Sequence, residues 1–392
     1  MYDHKYLLLL LVLCSSKILL SAQTELSGIV LDSTDRQPVP FATVYFDGTT
    51  RGQTTDEQGH FTLPLTGMER PATLVVSHVN YAPLSLVVDD QTASPLELTL
   101  RPANRTISTV LVQDHNRRQK NLEEFRPLFL GSDDWGQRAQ IQNEEAIVFA
   151  RDYVQQRLEV KNDYIKRMLV QADRTNMQWA PDGSYVLFDK AVNLQATANV
   201  PLLIKLPDLG YTLQLDLVHF QTDYEVGRTG SLGYYFFQPE EGFDGKTRAR
   251  HRRNRERAYY NSPQHLLRAL YAGDPANSGY RIMEPPADEN GSPQDVDLSA
   301  HLQVTGPDEK VITGLQGHHL IVLYYGDRKG RPLPPARWKR VHPTQSGLFF
   351  GADNCPIRAD GTMGDSGLYF SGSLGGRGVA RALPSDFVPS KQ

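Results

Sequence analysis

The stretch GIVLDSTDRQPVPFATVYFDG, residues 28–48, decides the fold of the first part of the chain. Within it every second residue is apolar, from Ala42 through Val44 to Phe46, and the same alternation returns at 96–100. A two-residue period places one face of a strand in a core and the other in water. Glycines and prolines between the apolar runs mark tight turns. The pattern over 28–100 therefore predicts an antiparallel β-sandwich of about seven strands.

The same stretch carries a family resemblance. The residues that carry it are, in chain order, Gly28, Val30, Asp32, Pro38, Ala42, Val44, Thr55, Gly59, Phe61, Leu63, Asn80 and Tyr81. Their order and spacing resemble the carboxypeptidase regulatory-like domain, a transthyretin-like sandwich common at the N-termini of exported Gram-negative proteins. The resemblance is to the accessory domain of zinc carboxypeptidases, so it implies a module that folds and binds, without a catalytic domain.

The N-terminus has the form of an export signal. A short start ending in Lys5, an apolar run at 6–13 and small residues at 21–23 predict a signal peptide over residues 1–23. The apolar run is too short to span a bilayer, and no later segment approaches that length. We therefore expect an exported protein, periplasmic or associated with the outer membrane. Lipidation at Cys14 remains an alternative to ordinary cleavage.

Net charge and cysteine count bear on the possible partners and on how the chain is stabilised. The formal net charge of the 392 residues is −4, which does not indicate a nucleic-acid partner. Cys355 is the only cysteine besides Cys14, so the mature chain has no internal disulfide and its cores must be stable without one.

The sequence predicts four segments: a signal peptide at 1–23, the sandwich at 24–101, a polar linker at 102–121, and an α+β, mainly antiparallel domain at 122–392. The fold class is thus β-rich throughout. A strand at 108–112 is expected in the linker. Short helices are expected at 121–130, at 135–140 behind a cap at Ser132–Asp134, and from the Ser262-Pro263 start to Gly273.

Strands are expected at several places in the second domain. The segments are 201–206, 211–217, 231–237, 318–325, 347–350 and 367–371, with a hairpin turn at Asp182-Gly183. In 211–217 the alternation predicts a one-sided strand that turns Thr212, Gln214 and Asp216 to solvent. Residues 274–297 are expected to be a loop, and 153–169 shows both strand and helix patterns.

This second domain also carries a resemblance. Its segments FLGSDDWG, PLLIKLPDLGYTLQLDLVHF, TGSLGYYFFQP and RNRERAYYNSPQHLLRALY, and the ending RALPSDF, resemble the C-terminal part of exported bacterial proteins known only for their carboxypeptidase regulatory-like domain. Those proteins have no established activity, so this resemblance implies architecture and location and no chemistry.

Catalytic patterns are weak. None of the eleven histidines begins the His-x-x-Glu pair of a zinc carboxypeptidase, so no metal site and no cofactor is predicted. Gly364-Asp365-Ser366-Gly367 matches the nucleophile segment of trypsin-like proteases, but the tetrapeptide is also ordinary turn chemistry. We predict no catalytic residue. A hydrolase that uses Ser366 or His318/His319 remains an alternative.

The run KTRARHRRNRER, residues 246–257, is the strongest charge feature. Its cations are Lys246, Arg248, Arg250, Arg252, Arg253, Arg255 and Arg257. A solvated helix or loop is the plainer interpretation, and contact with lipid headgroups, lipopolysaccharide phosphates or an acidic partner is the functional one. No aromatic residue is interleaved with these cations before Tyr259-Tyr260, so nucleic acid is not predicted.

The sequence therefore predicts a non-enzymatic exported cell-envelope protein, an adaptor or binding module whose partner is an unidentified envelope protein, glycan or anionic surface. Two alternatives remain open. One is a glycan- or surface-binding accessory of a nutrient-uptake system, with the aromatics of 234–237 stacking on sugars. The other is the hydrolase that uses Ser366 or His318/His319.

Overall fold

The computed structural model describes residues 24–103, 115–171, 177–286, 288, 290–363 and 367–390. The signal peptide with Cys14, the strand expected at 108–112 and Ser366 lie outside the described residues. The strands are β1 Glu25–Asp32, β2 Thr43–Phe46, β3 Gly52–Thr54, β4 His60–Pro64, β5 Ala72–Ser77, β6 Leu84–Val88, β7 Leu96–Leu100, β8 Gln140–Ile141, β9 Ile147–Ala150, β10 Tyr153–Glu159, β11 Met177–Trp179, β12 Tyr185–Ala191, β13 Asn193–Ala198, β14 Leu202–Leu206, β15 Tyr211–Asp223, β16 Arg228–Pro239, β17 Tyr280–Glu284, β18 Gln294–Asp295, β19 Leu302–Val304, β20 Glu309–Thr313, β21 His319–Tyr324, β22 Thr344–Phe350, β23 Asn354–Arg358 and β24 Leu368–Ser371.

The helices are α1 His115–Leu130, α2 Asp134–Arg138, α3 Asp163–Gln171, α4 Gly245–Tyr259, α5 Pro263–Ala272 and α6 Gly372–Gly375. Short 3₁₀ turns lie at Glu144–Ala146, Leu298–His301, Pro335–Arg340 and Val379–Arg381. The described helices include none that is both long enough and apolar enough to cross a membrane.

The first seven strands form the expected sandwich. One sheet has the order β4-β1-β7 and the other the order β3-β2-β5-β6. The strands enclose a core that includes Leu26, Val44, Phe46 and Leu74, each fully buried. The prediction of a purely antiparallel sandwich was wrong in one place, because β1 pairs with β7 in parallel. The alternation of apolar residues fixes which face is buried but not the direction of the neighbouring strand.

A six-stranded antiparallel sheet follows, in the order β8-β14-β15-β13-β9 with β16 paired to β15. Helix α1 packs on it through Phe125 and Phe129, whose rings lie edge-on to Phe220 at 4.8 and 5.8 Å between centroids. The sequence placed the start of this helix at Asn121, and the structure places it at His115. The cap predicted before α2 is confirmed, since Asp133 accepts hydrogen bonds from the backbone N–H groups of Trp135 and Gly136.

The undecided stretch 153–169 contains both elements. Strand β10 pairs with β12, and α3 follows it. The hairpin turn at Asp182-Gly183 is confirmed, with Gly183 at φ +70° between β11 and β12.

A five-stranded sheet, β18-β17-β21-β22-β24, and a three-stranded sheet, β19-β20-β23, complete the fold around a second core. The loop expected at 274–297 was wrong in part, because β17 and β18 lie within it. Strand β17 is short and pairs with β21 far along the chain, so its stability comes from a partner that local pattern does not reveal. Helix α5 begins and ends as predicted, with Ser262 as N-cap and Gly273 left-handed at φ +71°.

Strand β15 corrects the most consequential expectation. The sequence predicted one solvent-facing side, yet Gln214 and Asp216 on that side are only 7% and 8% exposed. The outer face of the β2–β5 pair of the sandwich covers them. The two regions thus meet sheet against sheet, and the polar residues of β15 belong to a contact between them.

Candidate binding surface

Helix α4 holds all seven cations predicted from the basic run. It begins after Asp244, whose side chain accepts a hydrogen bond of 2.7 Å from the backbone N–H of Thr247. A carboxylate at this position caps the helix and opposes the partial positive charge of its N-terminus. The capped helix therefore fixes the positions of the arginines relative to one another, despite their mutual repulsion.

One side of α4 is structural. His251 and Ala258 are 3% and 1% exposed. The Arg255 Nε donates to the Leu209 carbonyl at 2.8 Å, and its guanidinium lies 3.9 Å over the ring of Tyr211. Burial lowers the pKa of Arg255 and that of His251. The sequence assigned Arg255 to the contact surface together with its neighbours, whereas the structure uses it to attach the helix to the sheet.

Gly210 allows the close approach of this side. It has φ +67°, and a Cβ at this residue would lie 2.3 Å from His251 Nδ1. The turn before β15 and the buried face of α4 therefore fit only with a glycine at this position.

The opposite side of α4 is a row of exposed cations. Lys246, Arg250, Arg253 and Arg257 follow one another at steps of four, three and four residues, which places them in line on one face. At a rise of 1.5 Å per residue the row is about 16 Å long. We call these four residues the α4 ridge. Arg248 and Arg252 are also exposed, on a different side of the helix from the α4 ridge.

The α4 ridge is not neutralised by close ion pairs in the described part of the chain, although the capping carboxylate of Asp244 lies near enough to Arg250 for the two charges to attract. None of its four side chains takes part in an ion pair within 4.0 Å among those residues, although many other arginines of the protein do. Like charges three or four residues apart destabilise a helix by about 0.2–0.5 kcal/mol per pair. The arrangement thus carries a small stability cost and leaves an extended positive surface open to solvent.

The two histidines of the hydrolase alternative lie in an open cleft of about 720 Å³ with Glu284 and Asp288 at its wall. His318 Nδ1 lies 3.3 Å from Glu284 Oε1. His319 stacks on Phe349 at 4.7 Å between centroids. The structure therefore gives each histidine a partner of its own. Among the described residues, no cluster of three or more His, Cys, Asp or Glu is arranged to hold a metal ion.

The aromatics of 234–237 are engaged in packing. Phe236 stacks on Tyr45 of the sandwich at 5.0 Å, and Phe237 lies in the core of the second region. The Tyr234 hydroxyl lies 2.9 Å from Ser85 Oγ on β6. Strand aromatics were expected to be core residues more often than sugar platforms. Tyr234 and Phe236 contact the sandwich, while Tyr235 and Phe237 pack against the core of the second region.

The sequence missed a second charged feature, which lies between the two regions. Asp216 accepts hydrogen bonds from the Tyr45 hydroxyl at 2.8 Å and from Ser77 Oγ at 2.7 Å. Nearby, Asp47 accepts from the backbone N–H of Tyr235 at 2.7 Å. The only signal in the sequence was the polar alternation of 211–217, which is equally typical of a solvated strand face.

The loop at Gly48–Thr50 strengthens this contact. Gly48 N–H donates to the Tyr235 carbonyl at 2.7 Å, and Phe237 N–H donates to the Thr49 carbonyl at 3.0 Å. The C-terminal segment closes over the same loop, since Thr50 Oγ1 donates to Asp386 at 2.6 Å. We call this set of contacts, between β2, β5 and Gly48–Thr50 on one side and β15, β16 and Asp386 on the other, the sandwich interface.

Comparison with known proteins supports the assignment of the first region alone. Residues 26–112 match the family model described as the CarboxypepD_reg-like domain. No curated protein matches the chain. Since the family model describes a regulatory-like domain, the match fits a binding or adaptor module and indicates no catalytic family.

Solved structures show local likeness. A type II cohesin–X-dockerin complex from Acetivibrio cellulolyticus has 20% identity over 19% of this chain and 51% of its own. A protein of unknown function from Bacteroides fragilis, provisionally described as membrane-associated, has 13% identity over 55% of this chain and 94% of its own. A 9R-lipoxygenase from Cyanothece has 10% identity over 64% of this chain and 48% of its own.

The TM-score is 0.16 in each case, so none of these structures bears on function. The chain spans about half the length of the first of them. All seven strands of the sandwich lie within or at the edge of the matched segment. The N-terminal sandwich of this protein therefore matches the CarboxypepD_reg-like domain, and the match extends over residues 26–112.

Proposed function

We propose that this protein is a non-enzymatic, exported component of the cell envelope that binds a polyanionic surface through the α4 ridge. The sandwich acts as the scaffold that holds the second region in place. The domain division at residues 101 and 121, with the polar linker between them, is part of the same proposal. The single observation that carries it is the row of four exposed cations, none of which forms an ion pair within 4.0 Å among the described residues.

The division of labour within α4 supports this proposal. Arg255 and His251 attach the helix, so they are accounted for by folding. Lys246, Arg250, Arg253 and Arg257 contribute nothing comparable to the fold and add mutual repulsion. A polyanion such as a phosphate-bearing surface would relieve that repulsion, and each cation near an anionic membrane contributes about 1 kcal/mol of binding.

The alternatives find less support in the geometry. A glycan platform at 234–237 would need aromatic faces that the sandwich covers in part. A hydrolase at His318/His319 would need a nucleophile within hydrogen-bond reach, and the partners of these residues are Glu284 and Phe349.

Vesicle binding tests the proposal. The mature chain, residues 24–392, is mixed with vesicles of phosphatidylglycerol and phosphatidylcholine in equal parts, and with phosphatidylcholine alone. We expect binding to the anionic vesicles that weakens as salt rises. The variant with Lys246, Arg250, Arg253 and Arg257 all changed to Gln should bind weaker by about two to three powers of ten, from about 1 kcal/mol per cation.

A matched control removes the same charge elsewhere. Lys161, Lys166, Lys190 and Lys205 are exposed, and their joint change to Gln lowers net charge equally. This variant should retain most of the affinity. Equal losses in the two variants would mean that only net charge matters, and no binding of the intact chain to anionic vesicles or to lipopolysaccharide would end the proposal.

Export is tested separately by mass spectrometry of the mature N-terminus from cells. Ordinary processing predicts a chain that begins near Gln23. A lipid-modified Cys14 at the N-terminus would support anchoring instead, and an intact Met1 would contradict export.

A further inference from the structure

The sandwich interface contains two carboxylates and no cation between them. Asp47 comes from the sandwich and contacts β16, and Asp216 comes from β15 and contacts β2 and β5. Asp216 is 8% exposed, and its hydrogen-bond partners Tyr45 and Ser77 are 0% and 1% exposed. Asp47 is half-buried at the end of β2 and is held by the Tyr235 N–H. Within the described residues, neither carboxylate takes part in an ion pair, whereas buried charges in proteins are ordinarily paired.

The other titratable groups close to these two carboxylates are tyrosines. Tyr45 comes from β2, and Tyr234 and Tyr235 come from β16. The ion pair of this interface is peripheral and joins Arg51 Nε to Asp386 Oδ2 at 4.0 Å, beside Thr50. The near neighbours are therefore neutral tyrosines, which supply no opposite charge, and among their hydroxyls that of Tyr45 donates a hydrogen bond to Asp216.

The direction of the protonation equilibria follows from this environment. Burial, with a smaller contribution from the charge of Asp216, raises the pKa of the Asp47 carboxyl to about 6, although the backbone N–H groups of Tyr235 and Gly48 oppose the rise. Burial likewise raises the pKa of Asp216, although the Ser77 and Tyr45 hydroxyls oppose it. Each acid therefore binds its proton more tightly when the two regions are docked than when they are apart.

We propose that the sandwich interface is an acid-strengthened latch, in which Asp47 and Asp216 hold the two regions together more tightly at mildly acidic pH than at neutral pH. Docking is strongest when both acids are protonated, since repulsion and the desolvation of two charges are then absent. It weakens as the pH rises from the free-state value of about 4 towards 6, and stays at the weaker level above that.

Amide hydrogen exchange measures this latch in the mature full-length chain. The N–H groups of Gly48 and Phe237 cross the interface, so their protection factors report its opening. A rise in the pKa of Asp47 from 3.8 to about 6 makes docking about 50-fold weaker at pH 7 than at pH 4. Protection of these amides, corrected for intrinsic exchange, should fall by about that factor.

Strands β1 and β4 provide the internal control, because they lie in the other sheet of the sandwich. Their amides should keep their protection over this range. An equal fall there would show that the whole protein unfolds, and it would overturn the latch. No fall at Gly48 and Phe237 would overturn it as well.

Four variants separate the latch from general effects. Asp47→Asn keeps the acceptor for the Tyr235 N–H and removes the charge, so most of the pH dependence should disappear. Asp216→Asn should remove a further part, and the double variant should show none. Asp386→Asn changes a carboxylate of the same interface that lies beside a cation, so it should lower protection at all pH values and keep the pH dependence. A full fall that persists in the double variant would contradict the proposal.

Discussion

The α4 ridge and the sandwich interface are opposites in charge and in surroundings. The ridge gathers four cations in water, where each keeps its hydration and costs little. The interface places Asp47 and Asp216 between two sheets, where hydrogen bonds from Tyr45, Ser77 and Tyr235 replace the lost water. A charge in solvent stays available to a partner, whereas a charge buried in an interface interacts mainly with the protein's own groups.

The largest expected loss of stability comes from a substitution in the sandwich interface. Tyr45 is fully buried, stacks on Phe236 and donates to Asp216. Tyr45→Ala removes the ring and leaves the carboxylate without that donor, so we expect a loss of about 4 kcal/mol in the free energy of unfolding. Urea denaturation at pH 7 measures it.

Tyr45→Phe sharpens that result, because it keeps the ring and removes only the hydroxyl. Its expected loss is about 1–3 kcal/mol. Val87→Thr, on an exposed residue of β6, serves as the control without effect. A loss of less than about 1 kcal/mol for Tyr45→Ala would show that Tyr45 is not the anchor of the interface.

A medium effect distinguishes the two sides of α4. Arg255→Gln removes hydrogen bonds to the carbonyls of Leu209 and Gly210 and the contact with Tyr211, so it should destabilise the protein by about 2 kcal/mol. Arg253→Gln, two residues away on the exposed row, should change stability by less than about 0.5 kcal/mol. Thermal unfolding followed by circular dichroism compares them, and equal effects would abolish the distinction.

The smallest effect concerns the α4 ridge itself. Changing Lys246, Arg250, Arg253 and Arg257 together to Gln relieves repulsion between neighbours, so stability at low salt should stay level or rise by about 0.5–1 kcal/mol. The gain should vanish at high salt, where repulsion is screened. A clear loss of stability would mean that these cations are structural, and it would weaken the proposed binding role independently of the vesicle measurement.

Much of the fold was predictable because local pattern carries it. The alternation in 28–100 indicated the sandwich, Ser262-Pro263 and Gly273 marked both ends of α5, and Asp133 marked the start of α2. These signals rest on backbone geometry and caps, which depend on a few neighbouring residues. The parallel pairing of β1 with β7 and the strand β17 depended on partners distant in sequence, and the pattern could not supply them.

The candidate sites divide along the same line. The cations of α4 were visible in the sequence as a group, but their separation into a ridge and an attached Arg255 needed the turn at Gly210 and the ring of Tyr211. Asp216 looked like a solvent-facing residue, and Asp47 gave no signal. Their importance arises only from the sandwich packed over β15 and β16.

By itself, the sequence determined the N-terminal sandwich, the helices with clear caps and the presence of a concentrated positive charge, because these depend on local periodicity and composition. Only the tertiary structure decided which polar residues lose their water. Alternation states that one face of a strand differs from the other, but whether the polar face meets solvent or another sheet depends on packing between segments more than a hundred residues apart.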